Sequence, residues 1–343
     1  MAVRFAFAGF RHGHILDLVA AVKERPDLEL VAACEDDPET GAQLAAGGKV
    51  EITHQSLEAM LKEVDCDVVA IADYYSRRGS MAIAALNAGR HVIADKPLCT
   101  SLQELRRIER IAARKKLAVG EMLDLRACGA CQAAKDFIDA GQLGQVHTLS
   151  FSGQHPLMYG KRAGWYFEEG KHGGTINDIF IHAADMIEWL LSKSGRRIVE
   201  VVAARTWNTH FAPAPKFPIG AQLMLRLDNG GGVLGDVSYL APDKCGYSTP
   251  QYWRFVVHGS RGVMEFNLHS TSLMVATHDD DAARQVPVKP SASRLYLDDF
   301  LRQIRGESQG VWLTTAQVIR ATRIALTAQR AADTNRAHLK ISP

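Results

Sequence analysis

Residues 1–120 constrain the fold most, because short apolar runs alternate there with amphipathic segments of helical period. Strands are predicted at Arg4–Ala8, Glu29–Ala33, Val68–Ile71, Val92–Ala94 and Ala118–Gly120. Helices are predicted near His14–Lys23, Pro38–Ala46, Ser56–Glu63, Gly79–Asn87 and Ser101–Arg114. Strands that alternate with helical crossovers run parallel, so the pattern predicts an α/β domain with a doubly wound parallel sheet.

The pattern changes after Gly120. Further elements are predicted as a helix near Arg126–Asp139, a strand at Gln145–Gln154, a helix at Gly173–Asp185 and two last helices near Arg294–Arg305 and Thr314–Thr334. Between Ile198 and Ala276 the chain has mainly antiparallel strands with glycine-rich turns. Because 343 residues exceed what one compact core usually holds, we expect two domains, residues 1–122 and 123–343.

The composition is that of an ordinary globular protein, with 47% hydrophobic and 23% charged residues. The net charge of +2 gives no electrostatic footprint for nucleic acid or for an anionic membrane, so a small-molecule ligand is the expected partner. The apolar segment Val3–Gly9 is too short for a signal peptide, and no apolar run is long enough to span a bilayer. With six scattered cysteines, these features predict a cytoplasmic protein.

The turn between the first strand and the first helix reads Gly9-Phe10-Arg11-His12-Gly13-His14. Small residues at this position let the pyrophosphate of a dinucleotide approach the backbone. Compared with the pattern G-x-G-x-x-G, Arg11 and His14 replace the second and third glycines. We take Gly9, Phe10, Arg11, His12 and Gly13 as candidate cofactor-binding residues.

The second predicted strand is followed by Glu35, where an acidic side chain would meet the adenosine ribose. A carboxylate there favours a free 2′-hydroxyl over a 2′-phosphate, and hence NAD over NADP. In the alternative interpretation, Glu35, Asp36 and Asp37 are a solvated turn before Pro38.

The segment Gly173–Asp185 places a carboxylate and an imidazole four residues apart in an apolar run. If it is helical, Asp178, His182 and Asp185 share one face. Burying such polar groups is costly without a partner, so we expect one wall of an active site here. The three side chains also suit a divalent ion, but without a clear further ligand we predict no metal site. Asp185 is more plausibly structural than catalytic.

Two further segments carry polar or reactive side chains. The spacing of Cys128 and Cys131 suits zinc or redox chemistry, but no second pair follows, and buried or incidental thiols are the favoured interpretation. The loop of residues 155–167 mixes aromatic and donor groups, as a pocket for a polar substrate would. Candidate substrate contacts are His155, Arg162, Trp165 and Tyr166, with Arg126 as a further candidate. The aromatic residues could equally pin the loop onto the sheet.

The segment Ala88–Leu98 resembles the glucose-fructose oxidoreductase, inositol dehydrogenase and MocA family, which typically has A-G-K-H-V-x-x-E-K-P-L here. The resemblance continues through Ala140–Val146, through Gly173–Asp178 with His182 and Asp185, and through Gly259–Gly262. It covers nearly the whole chain, and the combination of motifs is specific.

The resemblance implies a Rossmann domain followed by an α/β domain with a large, mostly antiparallel open sheet, often used to form homodimers or homotetramers. It also implies a nicotinamide cofactor and polyol or sugar substrates. By position, the resemblance implies that Lys96 would be the catalytic lysine, that Asp178 and His182 would complete the catalytic centre, and that Asp73 and Lys96 would adjoin the cofactor. The chain departs from the family at Arg11 and His14, at Asp73-Tyr74 instead of Thr-Pro, at Arg78 instead of histidine and at Asp95 instead of Glu.

Oxidation of a secondary alcohol needs a proton acceptor, an electrophile for the developing alkoxide and a hydride acceptor. His182 suits the base, Lys96 the donor to the substrate oxygen, and Asp178 could orient the imidazole or stabilise its charged form. The expected function is an NAD(H)-dependent oxidoreductase of a sugar, cyclitol or related polyol. Alternatives are a lyase or glycosidase that uses bound NAD transiently and a non-catalytic ligand sensor. Lys96 could also merely end a strand, and His182 could be a core histidine.

Overall fold

The structure is a computed structural model that describes residues 2–290, 295–307 and 309–342. The chain forms two compact units. The first contains the chain up to Met122 together with Ala163–Gly173 and Tyr296–Ile319, and the second contains Leu123–Arg162, Gly174–Leu295 and the chain from Arg320 onwards. The division into functional domains at residue 122 stays a prediction.

The first unit contains a five-stranded parallel sheet with the strand order β2-β1-β3-β4-β5. Its strands are β1 (Val3–Ala8), β2 (Leu28–Cys34), β3 (Val68–Ile71), β4 (His91–Ala94) and β5 (Val119–Glu121). Its helices include α1 (Ile15–Glu24), α2 (Pro38–Gly47), α3 (Leu57–Glu63), α4 (Tyr75–Asn87) and α5 (Leu102–Lys115). The predicted doubly wound parallel sheet is confirmed.

Helix α4 begins at Tyr75, four residues before the predicted start at Gly79. Gly79 instead lies where α4 packs against α5. A Cβ atom at this position would lie 2.5 Å from the carboxyl group of Glu104 and 2.9 Å from the Cβ of Cys99. The glycine is therefore needed for close helix packing, and it does not mark the start of the helix.

The last part of the first unit comes from near the end of the chain. Helix α8 (Leu295–Ile304) was predicted to begin at Arg294, which lies outside the described residues. A Cβ atom at Gly120 on β5 would lie 2.7 Å from the ring of Phe300. The carboxylate of Asp299, in α8, accepts hydrogen bonds from the backbone N–H groups of Trp312 at 3.1 Å and Leu313 at 2.8 Å. Both residues lie in the loop after this helix.

The second unit contains a nine-stranded sheet with the order β13-β12-β11-β10-β6-β9-β8-β7-β14. Its strands are β6 (Val146–Pro156), β7 (Ile198–Trp207), β8 (Gly220–Leu227), β9 (Gly232–Ala241), β10 (Arg254–Gly259), β11 (Gly262–Asn267), β12 (Ser272–Thr277), β13 (Arg284–Pro287) and β14 (Leu339–Lys340). Neighbouring strands are antiparallel except β6 and β9, which are parallel. The large, mostly antiparallel sheet is confirmed.

The remaining helices are α6 (Gly129–Asp139), α7 (Ile181–Leu190) and α9 (Thr315–Asp333). A short 3₁₀ turn at Leu125–Ala127 precedes α6, so this helix begins three residues later than predicted. Among the described residues, no helix has both the length and the apolar character needed to cross a membrane.

Candidate active site

The predicted cofactor turn follows β1 at the carboxyl edge of the parallel sheet. Gly9 has a φ of 78°, and a Cβ atom there would lie 2.8 Å from the Cβ of Asp73. Only glycine permits this approach between the ends of β1 and β3. At Gly13 a Cβ would meet nothing within 4 Å, so open space remains before α1.

Glu35 lies at the end of β2 with its side chain fully buried. Its carboxylate accepts hydrogen bonds from the backbone N–H of Phe10 at 2.7 Å and from Nε of Arg11 at 3.0 Å. The alternative of a solvated turn is therefore wrong for Glu35, although Asp36 is exposed. A carboxylate has further lone pairs, so these contacts fix its position and leave acceptor capacity for ribose hydroxyls.

Arg11, which replaces a glycine of the usual pattern, is paired with acidic side chains. Its guanidinium lies 3.0 Å from Glu35 and 3.0 Å from Asp36, and 3.7 Å from Asp37. Arg77 also binds Asp36, at 2.6 Å. These carboxylates offset the charge of Arg11, so the turn offers little excess positive charge to a 2′-phosphate.

Arg78 is fully buried at the ends of β3 and β4. It donates to the backbone carbonyls of Asp73 at 2.7 Å and Asp95 at 2.9 Å, and its Nη2 lies 3.2 Å from the Asp95 carboxylate. Burial alone would raise the pKa of Asp95, but the nearby charges of His12 and Arg78 hold that pKa well below its usual range. Lys96 follows directly and is buried.

Two histidines of the turn contact the same carboxylate. Nδ1 of His12 lies 2.5 Å from Oδ2 of Asp95, and Nδ1 of His14 lies 3.3 Å from Oδ1. Burial lowers the pKa of His12 to about 4, although the charge of Asp95 acts in the opposite direction. His12 is therefore neutral at pH 7 beside an ionised carboxylate.

Two of the predicted substrate contacts, Trp165 and Tyr166, belong to the first unit. Nε1 of Trp165 donates to the carbonyl of Arg11 at 3.0 Å. The rings of Trp165 and Tyr75 meet edge to face at 5.0 Å, and the hydroxyls of Tyr75 and Tyr166 lie 3.4 Å apart. Both candidates therefore pack beside the cofactor turn, and their role as substrate contacts stays a prediction.

The helix predicted from Gly173 begins differently in the structure. Gly173 and Gly174 have φ angles of 77° and 101°, a π-helical turn spans Ile176–Phe180, and regular α7 begins only at Ile181. Oε1 of Gln329 accepts hydrogen bonds from the backbone N–H groups of Ile176 at 3.0 Å and Asn177 at 3.1 Å. The prediction of one continuous α-helix is wrong. A glycine pair and a single π-helical turn leave the spacing of the apolar residues almost unchanged, so the sequence pattern did not reveal them.

Asp178 lies in the π-helical turn and is buried. Its Oδ2 accepts a hydrogen bond from the hydroxyl of Tyr239, near the end of β9. His182, in the first turn of α7, is also buried, and its Nδ1 lies 3.9 Å from Oδ1 of Asp124. Its ring lies edge to face against Trp253 at 5.4 Å. The second unit therefore places this imidazole near a carboxylate and against an aromatic ring.

Asp185, one turn further along α7, is held by Arg126. Nη2 and Nε of the guanidinium lie 2.5 and 2.9 Å from the two carboxylate oxygens, and both side chains are buried. This bidentate pair agrees with the structural role expected for Asp185. Arg126 thereby also binds the Asp185 carboxylate, which a metal ion on this helix would need as a ligand.

His155 and Arg162 belong to the second unit. Aromatic rings that pack against His155, with centroids 5.1–6.4 Å away, include Tyr239, Tyr247, Tyr252 and Trp253. Arg162 donates to the carbonyls of Leu157 at 2.9 Å and Pro156 at 3.0 Å, and so closes its own loop. The structure thus places these two candidates beside an aromatic cluster.

Comparison with known proteins agrees with both units. Residues 3–122 match the model of an oxidoreductase family with an NAD-binding Rossmann fold, and residues 131–265 match the GFO/IDH/MocA C-terminal domain. The chain belongs to the GFO/IDH/MocA family. It is therefore an NAD-dependent oxidoreductase by family.

Named relatives are dehydrogenases and reductases. One is 1-carboxy-3-chloro-3,4-dihydroxycyclohexa-1,5-diene dehydrogenase of Comamonas testosteroni, 27% identical over 69% of this chain and 57% of the relative, so the match spans little more than half of that protein. Another is 1,5-anhydro-D-fructose reductase of Ensifer adhaerens, 25% identical over 88% of this chain and 90% of the relative. A solved inositol dehydrogenase homolog from Azotobacter vinelandii, complexed with NAD⁺, has the same fold, with a TM-score of 0.81, 16% identity and coverage of 99% and 97% of the two chains.

The first unit fits the NAD of this family. Gly9 permits the close turn, open space lies over Gly13, and the buried Glu35 presents a fixed carboxylate at the end of β2. Of the two residues that replace glycines, Arg11 is directed to acidic partners and His14 lies near Asp95.

Several functional partners were not predicted from the sequence. Tyr239, Asp124 and Trp253 come from segments distant in sequence from α7, so no local motif connects them with His182. One feature of the sequence could have pointed to Tyr239. Val233 and Val237 are buried on the same face of β9 as Tyr239, and a tyrosine at the end of such an apolar face needs a partner for its hydroxyl.

Proposed function

We propose that the protein transfers a hydride between NAD and a secondary alcohol of a sugar, cyclitol or related polyol. The observation that carries this proposal is the buried His182 with the Asp124 carboxylate 3.9 Å from its Nδ1. An imidazole beside a carboxylate suits a general base, because histidine can accept a proton near neutral pH. The two relatives described above, a dihydroxycyclohexadiene dehydrogenase and an anhydrofructose reductase, also favour hydroxylated rings as substrates.

NAD supplies the hydride acceptor or donor when it is bound. The residues proposed to hold it are Gly9, Phe10, Arg11, His12, Gly13, Glu35, Asp73 and Lys96. Glu35 would accept from the ribose hydroxyls, and Gly9 would let the pyrophosphate approach the backbone. The acidic side chains around Arg11 support NAD over NADP.

The proposed catalytic residues are Lys96, Asp178 and His182. His182 takes the proton of the substrate hydroxyl, and the Asp124 carboxylate stabilises the resulting imidazolium. The Lys96 ammonium donates a hydrogen bond to the substrate oxygen as negative charge develops there. Asp178 is fixed by the hydroxyl of Tyr239, which supports a defined orientation of its carboxylate.

The proposed substrate contacts are His155, Arg162, Trp165 and Tyr166. Each lies against aromatic rings of its own unit. Aromatic rings and a few placed donors are what a pocket for a ring-shaped polyol requires.

We also propose a cytoplasmic homodimer or homotetramer. Met224 of β8 and Leu234 of β9 are opposite each other in the sheet, and both are exposed. Paired exposed apolar side chains on an open sheet face favour contact with a second copy. Leu234→Glu is expected to lower the mass measured by analytical ultracentrifugation, and an unchanged mass would count against this face.

The function is tested by a screen of sugars, cyclitols and their oxidised forms for NADH formation or consumption, with the wild-type protein and Lys96→Met. We expect turnover of at least one hydroxylated ring compound by the wild type and its loss in Lys96→Met. Lys62→Met, which changes an exposed lysine of α3, is the control and should keep full activity. Substrate conversion with retained NAD and no net change in NADH would instead favour a lyase or glycosidase.

A further inference from the structure

Three metal-ligating side chains converge at the cofactor turn, where the chain departs from the glycine pattern. His12 and His14 flank Gly13, and Asp95 follows β4. One ligand atom from each side chain lies within 4.8 Å of the other two. We propose that His12, His14 and Asp95 form a binding site for a divalent first-row transition metal such as zinc or cobalt.

The distances suit a shared ion. Nδ1 of His12 lies 2.5 Å from one oxygen of Asp95, and Nδ1 of His14 lies 3.3 Å from the other. Metal–ligand bonds of about 2.0–2.2 Å separate neighbouring ligand atoms by roughly 3–3.5 Å. The 3.3 Å between Nδ1 of His14 and Oδ1 of Asp95 already matches that spacing. The shorter contact lengthens slightly when the ion takes the place of the proton between Nδ1 of His12 and Asp95, and that proton moves to Nε2, so the ring stays neutral.

The backbone holds these side chains in place before any ion binds. The N–H of His12 donates to the carbonyl of Ala72 at 3.1 Å, and the N–H of Asp95 donates to the carbonyl of Ile71 at 2.9 Å. Both carbonyls lie at the end of β3, so the turn and the carboxylate share one rigid support. Sites built on strand ends keep their ligand geometry better than sites on free loops.

The surrounding residues fix how each ligand is oriented. The hydroxyl of Tyr75 lies 3.4 Å from Nε2 of His12, on the side of the ring away from Asp95, and can accept the N–H of Nε2 in the tautomer that leaves Nδ1 for the ion. Arg78 binds Oδ2 of Asp95 at 3.2 Å and holds the carboxylate plane. Its positive charge opposes a cation, so the site is expected to be weaker than a structural zinc site.

The ion has a path to the site and open coordination positions. His14 is exposed, whereas His12 and Asp95 are mostly or fully buried. Three protein ligands leave at least one position for water or another oxygen ligand. The two-histidine, one-carboxylate set suits zinc, cobalt or iron better than calcium or magnesium, which prefer oxygen ligands.

The test uses the full chain without a histidine tag, treated with a chelator and then dialysed. Cobalt(II) chloride is added and followed by its visible d–d absorption, and zinc chloride is titrated by calorimetry. We expect one ion per chain. His14→Ala changes an exposed side chain and is expected to weaken binding at least about tenfold while the circular dichroism spectrum is unchanged. Asp95→Asn should also weaken it, provided that the fold is kept.

His147→Ala, which changes an exposed histidine elsewhere, is the matched control and should bind as tightly as the wild type. The proposal is overturned if the wild type binds neither ion stoichiometrically, or if His14→Ala binds as tightly as the wild type. Both readouts are made without NAD or substrate, so they are independent of the proposed enzymatic function.

Discussion

Asp95 in the first unit and Asp178 in the second are both buried carboxylates that adjoin proposed catalytic groups, yet their partners differ in kind. Asp95 is held by a buried arginine and two histidines. Asp178 accepts a hydrogen bond from the neutral hydroxyl of Tyr239. A buried carboxylate is tolerated only with compensating partners, and charged partners bind more strongly than neutral ones.

The difference separates two tasks. Beside the cofactor turn, charged groups from several strand ends bind one another, which fixes the backbone that meets a dinucleotide. Around α7, the Tyr239 hydroxyl binds Asp178, and His182 lies against Trp253 and near the Asp124 carboxylate, an arrangement that suits an imidazole whose charge changes during a reaction. The comparison predicts that substitutions in the first region mainly affect stability and cofactor binding, and that substitutions in the second mainly affect turnover.

The largest expected effect is that of His182→Ala. Loss of the proposed general base should lower kcat/KM by about 10²–10⁴-fold, with NADH affinity retained. Steady-state kinetics on a substrate found in the screen measures the first quantity, and fluorescence titration measures the second. Unchanged kcat/KM would remove the catalytic role of the second region, and His147→Ala serves as the control for a histidine that is merely exposed.

Replacement of Arg78 by Met should reduce the free energy of unfolding by about 3–5 kcal/mol, because it leaves Asp95 buried without its cation. Urea unfolding followed by circular dichroism measures the loss. Arg254→Met breaks the exposed pair of Arg254 with Glu265, and should cost only about 0–1 kcal/mol. Equal losses of unfolding free energy in the two variants would contradict the claim that Arg78 compensates the buried charge of Asp95.

Tyr239→Phe is expected to cost about 1.5–3 kcal/mol, because it removes the hydroxyl that donates to the Asp178 carboxylate. The same unfolding assay gives the loss of stability, and kinetics should show a change in kcat greater than that in KM. Tyr247→Phe alters a more exposed hydroxyl and should have a smaller effect. If the two variants behave alike, Tyr239 does not position Asp178.

The smallest effect concerns thiol reactivity in the two regions. A hydrogen bond with the Cys131 thiol outweighs burial and lowers the pKa of Cys128 to about 6, whereas burial raises the pKa of Cys34 in the first unit to about 12. Iodoacetamide reacts with thiolates, so labelling of Cys128 should rise as the pH passes about 6, and at pH 7 exceed that of an ordinary thiol by about tenfold. Peptide mass spectrometry across pH 5–9 measures it. A labelling midpoint near 8.5 would contradict the lowered pKa.

Much of the fold could be predicted because its signals are local in sequence. Strand β3, Val68–Ile71, was predicted residue for residue, since a short apolar run between polar segments defines it. The edge strands β13 and β14 were not predicted, because strands of four and two residues are too short to show alternation. The π-helical turn before α7 was missed for the related reason that apolar spacing does not distinguish a single wide turn.

The candidate site divides in the same way. Glu35 was proposed from its position at a strand end, and Lys96, Asp178 and His182 from motifs and the family resemblance. Their partners were not, because Tyr239 is 61 residues from Asp178 and Arg78 was noted only as a departure from the family pattern. Contacts between distant segments depend on the packing of the whole unit, which a single sequence does not encode in any local spacing.

The central claim is that this turn, with two of its usual glycines replaced, binds NAD through Glu35. It is tested most directly by titrating the protein with NADH and with NADPH and following the quenching of tryptophan fluorescence, since Trp165 lies against Arg11 of the turn. We predict saturable NADH binding, much weaker NADPH binding and loss of this preference in Glu35→Ala. Binding of neither cofactor, or equal binding of both, would contradict the claim.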